Sequence, residues 1–197
     1  TEEFMELLCN KILKGISRRN VLSSEQEEIL AFGIQSALEI SVNVAASIAL
    51  LLIMDRMMEG LFFFIVFIPL RMHSGGYHSD TYVKCFIVSL VTLLLIMLFS
   101  DRISLPVGIG LGIIIALETL IGITAPVLNP ERPVSKREYG RFTVRLKKIL
   151  YVIAAAAVVL TIFQMKTLLN VLMLTLMLVY VSLVIGKIKY KGYQEPY

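Results

Sequence analysis

The chain has 197 residues, of which 57% are hydrophobic and 17% charged, and its mean hydropathy is +0.79. This composition excludes an ordinary soluble domain, in which about a quarter of the residues are charged. The net charge of +4 does not indicate nucleic-acid binding, because the cations lie in separate segments between apolar stretches. We therefore expect a membrane protein without a nucleic-acid partner.

Residues 1–20 have the periodicity of an amphipathic helix. Phe4, Leu8 and Ile12 share one half of such a helix, and the charged residues occupy the other half. The pattern predicts an interfacial helix that lies on the membrane surface. The next helix starts with a capping box, Ser24-Glu25-Gln26-Glu27, and continues into the first membrane segment.

Six later stretches are apolar enough for membrane helices, since a bilayer core of about 30 Å needs roughly 20 apolar residues. They cover residues 31–54, 57–70, 82–100, 103–125, 149–164 and 168–185. A membrane β-barrel would need strands of alternating polarity, which these continuous runs lack. The predicted fold is an all-α polytopic membrane bundle, and the short second segment leaves crossing and re-entry as alternatives. We expect one domain, residues 1–197, with the bundle in 31–186 and a cytoplasmic tail in 187–197.

The distribution of cations predicts the orientation of the bundle. If the N-terminus is cytoplasmic and all six segments cross, only Arg56, Arg102 and Lys166 of the 19 Lys and Arg residues lie outside. Such a strong positive-inside bias places both termini in the cytoplasm. The same orientation places residues 73–85 on the cytoplasmic side, and the basic surplus suits anionic lipid or an acidic peptide.

The first membrane segment carries polar residues at four-residue spacing. Gln35, Glu39 and Asn43 therefore share one helical face. An ionisable group at membrane depth is costly, so this face is a candidate polar path of a small transporter or channel. The alternatives are an interhelical hydrogen bond and a glutamate hydrated near the interface.

A loop and a basic helix follow the fourth segment. Pro126, Pro130 and Pro133 break regular structure, and a second capping box at Ser135-Lys136-Arg137-Glu138 starts a helix. Cations then recur at three- to four-residue spacing, at Arg137, Arg141, Arg145 and Lys148. This stripe could contact lipid or dock an acidic peptide segment.

The stretch from His73 to Cys85 is the candidate for chemistry. It holds both histidines of the chain, His73 and His78, and one of its two cysteines. A cysteine peptidase needs an imidazole close to a thiol. The other cysteine, Cys9, is expected to be a packing or lipid-contacting residue, and both thiols lie on the reducing side, where a disulfide is not expected.

Spacing constrains how His78 and Cys85 could meet. Seven residues of continuous helix would separate them by about 10.5 Å along the axis, so a contact requires a break. The Gly75-Gly76 pair favours a turn, and Ser79 or Asp80 is a suitable N-cap for a helix through Cys85.

Other interpretations of this stretch stay open at this point. Cys85 could be an ordinary small membrane residue, and the Gly-Gly pair could simply end a helix. The histidine pair could sense pH in a non-catalytic scaffold. The spacings match no usual set of zinc ligands, so we expect no metal or cofactor. Arg71 could bind a substrate carboxylate or carbonyl, or anchor the segment at the membrane surface.

Arg71, the Gly75-Gly76-Tyr77-His78 motif, Cys85 and the proline-rich loop at 125–133 resemble the AgrB family, membrane peptidases that process quorum-sensing propeptides of Gram-positive bacteria. The resemblance covers nearly the whole chain. It implies that Cys85 is the nucleophile and His78 its general base, with Arg71, Gly75 and Gly76 supporting the site. No residue that orients the histidine is identified, and Asp80, Ser74 and Asn129 are the candidates.

The resemblance also implies an AgrD-like propeptide as substrate, with an amphipathic leader, a central Cys or Ser and an acidic C-terminal tail. Cleavage before the tail would give an acyl-enzyme thioester, and the propeptide's own side chain would then close a thiolactone or lactone ring. Arg137 and Arg141 are candidate supporting residues for such a tail. The expected location is the cell membrane, and a homodimer is an open alternative to the single chain.

Overall fold

The structure is a computed structural model that describes residues 24–77, 81–128 and 135–191. Within these residues the chain forms six helices. They are α1 (Ser24–Ile53), α2 (Met57–Ser74), α3 (Tyr82–Ser100), α4 (Val107–Thr124), α5 (Lys136–Ile162) and α6 (Lys166–Lys189). The amphipathic helix predicted over residues 1–20 lies outside the described residues. The helix α6 extends to Lys189, so the first residues of the predicted tail are helical.

Five stretches of these helices are long and apolar enough to cross a membrane, which confirms the predicted helical membrane bundle. They are Gly33–Ile53, Met57–Ser74, Tyr82–Ser100, Val107–Thr124 and Lys166–Lys189. The remaining helix, α5, has a basic first half and an apolar second half. The helix begins at Lys136, so its basic first half precedes the apolar segment predicted at 149–164.

The helix α2 connects the two ends of the bundle. At its start, Arg56 forms ion pairs with Glu59, at 3.2 Å, and with Asp101, which directly follows α3. At its other end, Gly75 forms an isolated parallel bridge with Val127, which follows α4. Its 18 residues span about 27 Å at 1.5 Å per residue, close to the thickness of a bilayer core. The geometry therefore favours crossing over re-entry for this segment.

The core of the bundle surrounds α6, which packs against α2, α3, α4 and α5. Half of the apolar stretch of α6 is buried, and its fully buried side chains include Leu172, Leu176 and Leu183. In contrast, α1 packs mainly against α3 and α2, and only 12% of its apolar stretch is buried. The helix α6 thus organises the fold, and α1 lies at its periphery.

The end of the bundle that holds Arg56 and Asp101 is closed by a second polar contact. The Asn170 amide of α6 donates to the carbonyls of Ser100, at 2.7 Å, and Ile103, at 3.0 Å. Carbonyls at a helix C-terminus have no partner within the helix, so this side chain satisfies the end of α3. We call this end the distal end, and the opposite one, where α2 ends and α3 and α5 begin, the basic end.

Candidate active site

The candidate site begins with a glycine turn at the basic end. The helix α2 ends at Ser74, and both glycines that follow have positive φ, +70° at Gly75 and +112° at Gly76. L residues rarely adopt such angles, whereas glycine does so without steric cost. A Cβ at Gly75 would also collide with the backbone carbonyl of Val127. The turn predicted from the Gly-Gly pair is confirmed, and it provides the break between α2 and α3.

Hydrogen bonds hold residues 74–77 on two sides, and we call them the docked loop. On one side, the Val127 amide donates to the Ser74 carbonyl at 2.9 Å. On the other, the Tyr77 amide donates to the carbonyl of Ser182 on α6 at 3.0 Å. The loop is therefore fixed by main-chain contacts between the chain after α4 and the end of α6.

Arg71 fastens the docked loop from within α2. Its half-buried guanidinium donates to the carbonyls of Gly75 and Tyr77. The same group interacts electrostatically with Cys85 on α3. The sequence left a choice between substrate binding and membrane anchoring for Arg71. In the structure, its N–H groups donate to carbonyls of the docked loop instead.

Cys85 lies in the first turn of α3 and is exposed. Its amide donates to the Thr81 carbonyl at 3.1 Å, which makes Thr81 the N-cap residue. The predicted N-cap, Ser79 or Asp80, is therefore wrong. All three residues are of types that favour this position, and the extended backbone of Thr81, with φ −134° and ψ 146°, is what makes it the cap.

Several predicted site residues fall outside the described residues, namely His78, Asp80 and Asn129. The His78–Cys85 dyad therefore stays a prediction, although Tyr77, which directly precedes His78, belongs to the docked loop. Ser74, the third candidate for orienting the histidine, is fully buried, and its hydroxyl donates to the adjacent Gly75 carbonyl at 3.5 Å.

His73 takes part in helix packing. Its Nδ1 lies 2.9 Å from the Pro69 carbonyl, one turn earlier in α2. Its ring meets Phe142 of α5 edge-on, with the centroids 6.0 Å apart. Both contacts turn the imidazole toward its own helix and α5.

The polar face of α1 forms a local pair. Gln35 donates to the Glu39 carboxylate at 3.0 Å, and Gln35 is exposed, whereas Glu39 and Asn43 are half-buried. The Tyr82 hydroxyl of α3 donates to the Glu39 carbonyl at 3.3 Å. Since α1 lies at the periphery of the bundle, these side chains do not line an enclosed path among the described helices.

The basic helix begins as predicted. Ser135 and Glu138 form the reciprocal contacts of a capping box, with the Glu138 amide 3.3 Å from the Ser135 hydroxyl. Arg137 and Arg141 are exposed on one face of the helix. A shallow depression of about 590 Å³ follows this face, which we call the cationic face, and is lined by Arg137, Gly140, Arg141, Val144, Arg145 and Lys148.

Sequence reasoning missed the partners of the docked loop. Val127, Ser182 and Gly186 contact its backbone, and the Lys189 ammonium lies 4.9 Å from the centre of the Tyr77 ring. The Ser182 and Val127 contacts use backbone atoms, which carry no local sequence signal. A glycine near the end of an apolar helix is likewise unremarkable by itself. Within the described residues, no three His, Cys, Asp or Glu side chains come together as metal ligands.

These features define a multi-pass helical membrane protein with an exposed cysteine in the first turn of the helix that follows a fixed glycine turn. The family model for accessory gene regulator B, AgrB, matches residues 9–185. The chain therefore belongs to the AgrB family, which takes part in the accessory gene regulator system of quorum sensing and in general consists of membrane peptidases for propeptide processing. Searches of curated proteins and of solved structures found no match.

Proposed function

We propose that this chain is a membrane cysteine endopeptidase that removes the C-terminal tail of an AgrD-like propeptide. Cys85 acts as the nucleophile and His78 as its general base. The observation that carries the proposal is the way the docked loop leads into α3. Arg71 donates to the carbonyl of Tyr77, the residue next to His78, and the exposed Cys85 lies in the first turn of the helix that follows.

The surroundings of Cys85 suit nucleophilic catalysis. The side chain is exposed, so a peptide can reach it. The side chain also lies in the first turn of α3, where the backbone amides of a helix N-terminus carry a partial positive charge.

The reaction proceeds in two acyl transfers. His78 takes the proton of the Cys85 thiol, and the sulfur attacks the carbonyl carbon of the scissile peptide bond. The C–N bond then breaks, His78 gives the proton to the leaving amine, and the tail departs from a thioester between Cys85 and the propeptide.

In the second transfer, the central Cys or Ser of the propeptide attacks the thioester carbonyl. Its proton passes through His78 to the Cys85 sulfur as the thioester bond breaks, and a thiolactone or lactone ring closes. Exchange between two thioesters is nearly isoenergetic, so water must be kept away until the ring has formed.

We further propose that the site faces the cytoplasm. The docked loop, the start of α3 and the start of α5 all lie at the basic end, together with Lys84 and Lys136. Positive charges favour the cytoplasmic side of a membrane. The cationic face of α5 lies at the same end, and it is suited to an acidic peptide tail.

Coexpression with an AgrD-like propeptide tests the dyad. Cys85→Ala and His78→Ala should each abolish release of the tail, because the first removes the nucleophile and the second its base. Cys9→Ser should behave like the unmodified chain. Tail release by either dyad variant at the unmodified rate would disprove the assignment.

The same assay separates the peptidase from the rival transporter or channel. Glu39→Gln should retain tail release, because the Gln35–Glu39 pair lies on the peripheral helix. If Glu39→Gln abolished function while Cys85→Ala preserved it, the polar path would be the correct interpretation.

A further inference from the structure

The contact between the docked loop and α6 depends on an exposed helix carbonyl. The Tyr77 amide donates to the Ser182 carbonyl at 3.0 Å. Ser182 lies inside α6, which continues to Lys189, and Gly186 follows one turn later. A carbonyl within a helix is usually covered from the side, so its access to the Tyr77 amide needs a structural reason.

Gly186 provides that reason. A helical side chain points toward the N-terminus and covers the turn that precedes its own Cα. A side chain at 186 would therefore cover the Ser182 carbonyl. A Cβ built there would lie 2.7 Å from the Tyr77 nitrogen and 2.8 Å from the Gly76 carbonyl carbon. Both are backbone atoms, so the loop itself would have to shift.

The helix gives no other reason for a glycine at this position. Glycine is less favourable than alanine within a helix, and Gly186 is buried, lies three residues before the end of α6 at Lys189 and does not have a positive φ. The exposed Gly112 of α4 is different, because a Cβ there would meet no atom within 4 Å.

We propose that Gly186 is a positioning residue of the active site. Its missing side chain opens the Ser182 carbonyl to the Tyr77 amide and so fixes the backbone that leads into His78. The inference rests on the proposed His78–Cys85 dyad, because its effect on chemistry passes through His78.

The reactivity of Cys85 gives a test that needs no propeptide. In a Cys9→Ser background Cys85 is the only remaining thiol of the chain's two. The rate of Cys85 alkylation by iodoacetamide is measured at pH 7 and pH 10 in four full-length chains. They are the Cys9→Ser chain itself and the same chain with one further substitution, His78→Ala, Gly186→Ala or Gly112→Ala. Arg71 and Tyr82, which interact electrostatically with Cys85, and Glu39 beside Tyr82 are the same in every variant.

At pH 7, alkylation should be about tenfold slower in His78→Ala, because a thiol with an ordinary pKa near 8.5 is only a few per cent ionised there. Gly186→Ala should show the same loss, and Gly112→Ala none. At pH 10 all four chains should react at similar rates, because thiols are then ionised without help from a base. Ser182→Ala keeps the carbonyl and should match the unmodified chain.

The outcomes separate the two proposals. Unchanged alkylation in His78→Ala would overturn the dyad and with it the proposed function. Slow alkylation at pH 7 in His78→Ala together with fast alkylation in Gly186→Ala would overturn the positioning role alone. A Gly186→Ala chain that loses its monodisperse peak in detergent at temperatures where the unmodified chain keeps it would assign Gly186 to fold packing and also overturn that role. Slow alkylation in Ser182→Ala would assign the contact to the side chain and contradict docking through the carbonyl.

Discussion

Arg71 makes two hydrogen bonds in the candidate site that a lysine could not combine. Its guanidinium donates to the carbonyls of Gly75 and Tyr77 in the docked loop. The planar guanidinium has several donors in a fixed arrangement, whereas an ammonium is a point charge on a flexible stem. The identity of the cation at this position should therefore matter as much as its charge.

Arg71→Lys should lower the rate of tail release by at least about tenfold. The substitution keeps the charge but loses one of two charge-assisted hydrogen bonds, each of which contributes about 1.5–3 kcal/mol. The measurement compares initial rates at equal amounts of membrane-inserted protein. Arg102→Lys is the matched control, since Arg102 is exposed at the distal end. Equal rates for Arg71→Lys and the unmodified chain would contradict the role of the two carbonyl contacts.

At the scale of helices, Asn170 joins α6 to the end of α3. Its amide satisfies two carbonyls that have no partner within α3 or the loop after it. Asn170→Ala should destabilise the fold by about 1–3 kcal/mol, because buried acceptors then lack a donor. Thermal unfolding in detergent should show a melting temperature lower by several degrees.

The control for this effect is Gln164→Ala. Gln164 is exposed and donates only to the Thr161 carbonyl of its own turn, so its loss should leave the melting temperature unchanged within about one degree. The folded Asn170→Ala chain should retain its tail-release activity, because Asn170 lies at the distal end. Equal melting temperatures for the two variants would rule out a special role of the Asn170 amide.

The cationic face of α5 yields a prediction about substrate binding. Replacing Arg137, Arg141 and Arg145 with Gln should raise KM for the propeptide several-fold and leave kcat nearly unchanged, because the face would bind the acidic tail away from the reacting bond. Added salt should weaken binding to the unmodified chain more than to the variant.

Cations elsewhere on α5 provide the comparison for the cationic face. Lys136 and Lys147 are exposed but do not line the depression. Their replacement with Gln should have a smaller effect on KM. Unchanged turnover of the triple variant at limiting substrate would favour lipid as the ligand of the cationic face.

Local features of the helices were predictable from sequence to different extents. The end of α2 and the start of α5 follow from residues with specific backbone preferences, the Gly75-Gly76 pair and the Ser135-Glu138 capping box. The start of α3 was less certain because Ser79, Asp80 and Thr81 all suit an N-cap. Local preference narrows such a boundary to a few residues, and the path of the chain decides among them.

For the whole molecule, sequence predicted the membrane class and the segments, because hydropathy reports the solvent around each residue. It did not predict which helix is central. The burial of α6 and the exposure of α1 arise from packing between distant segments. The same limit applies to the candidate site, where Cys85 and Arg71 were predicted from their chemistry and from the family resemblance, but Ser182 and Gly186 were not.

The predicted orientation can be tested with single cysteines introduced into a Cys9→Ser, Cys85→Ser background. An impermeant maleimide added to intact cells should label Asp55→Cys and Gln164→Cys at the distal end. Under the proposed orientation, with the basic end in the cytoplasm, Ser135→Cys and Lys191→Cys should react only after permeabilisation. Labelling of Ser135→Cys and Gln164→Cys from the same side would mean that α5 does not cross.

The position of α6 in the chain affects when activity can arise during biosynthesis. The ribosome makes the Gly75-Gly76 turn and Cys85 long before it makes Ser182 and Gly186, which hold the docked loop from α6. A nascent chain whose first five described helices have inserted still lacks that support. Under the proposed function, proteolytic competence would arise only when α6 joins the bundle, and an arrested translation product would carry Cys85 without an assembled site.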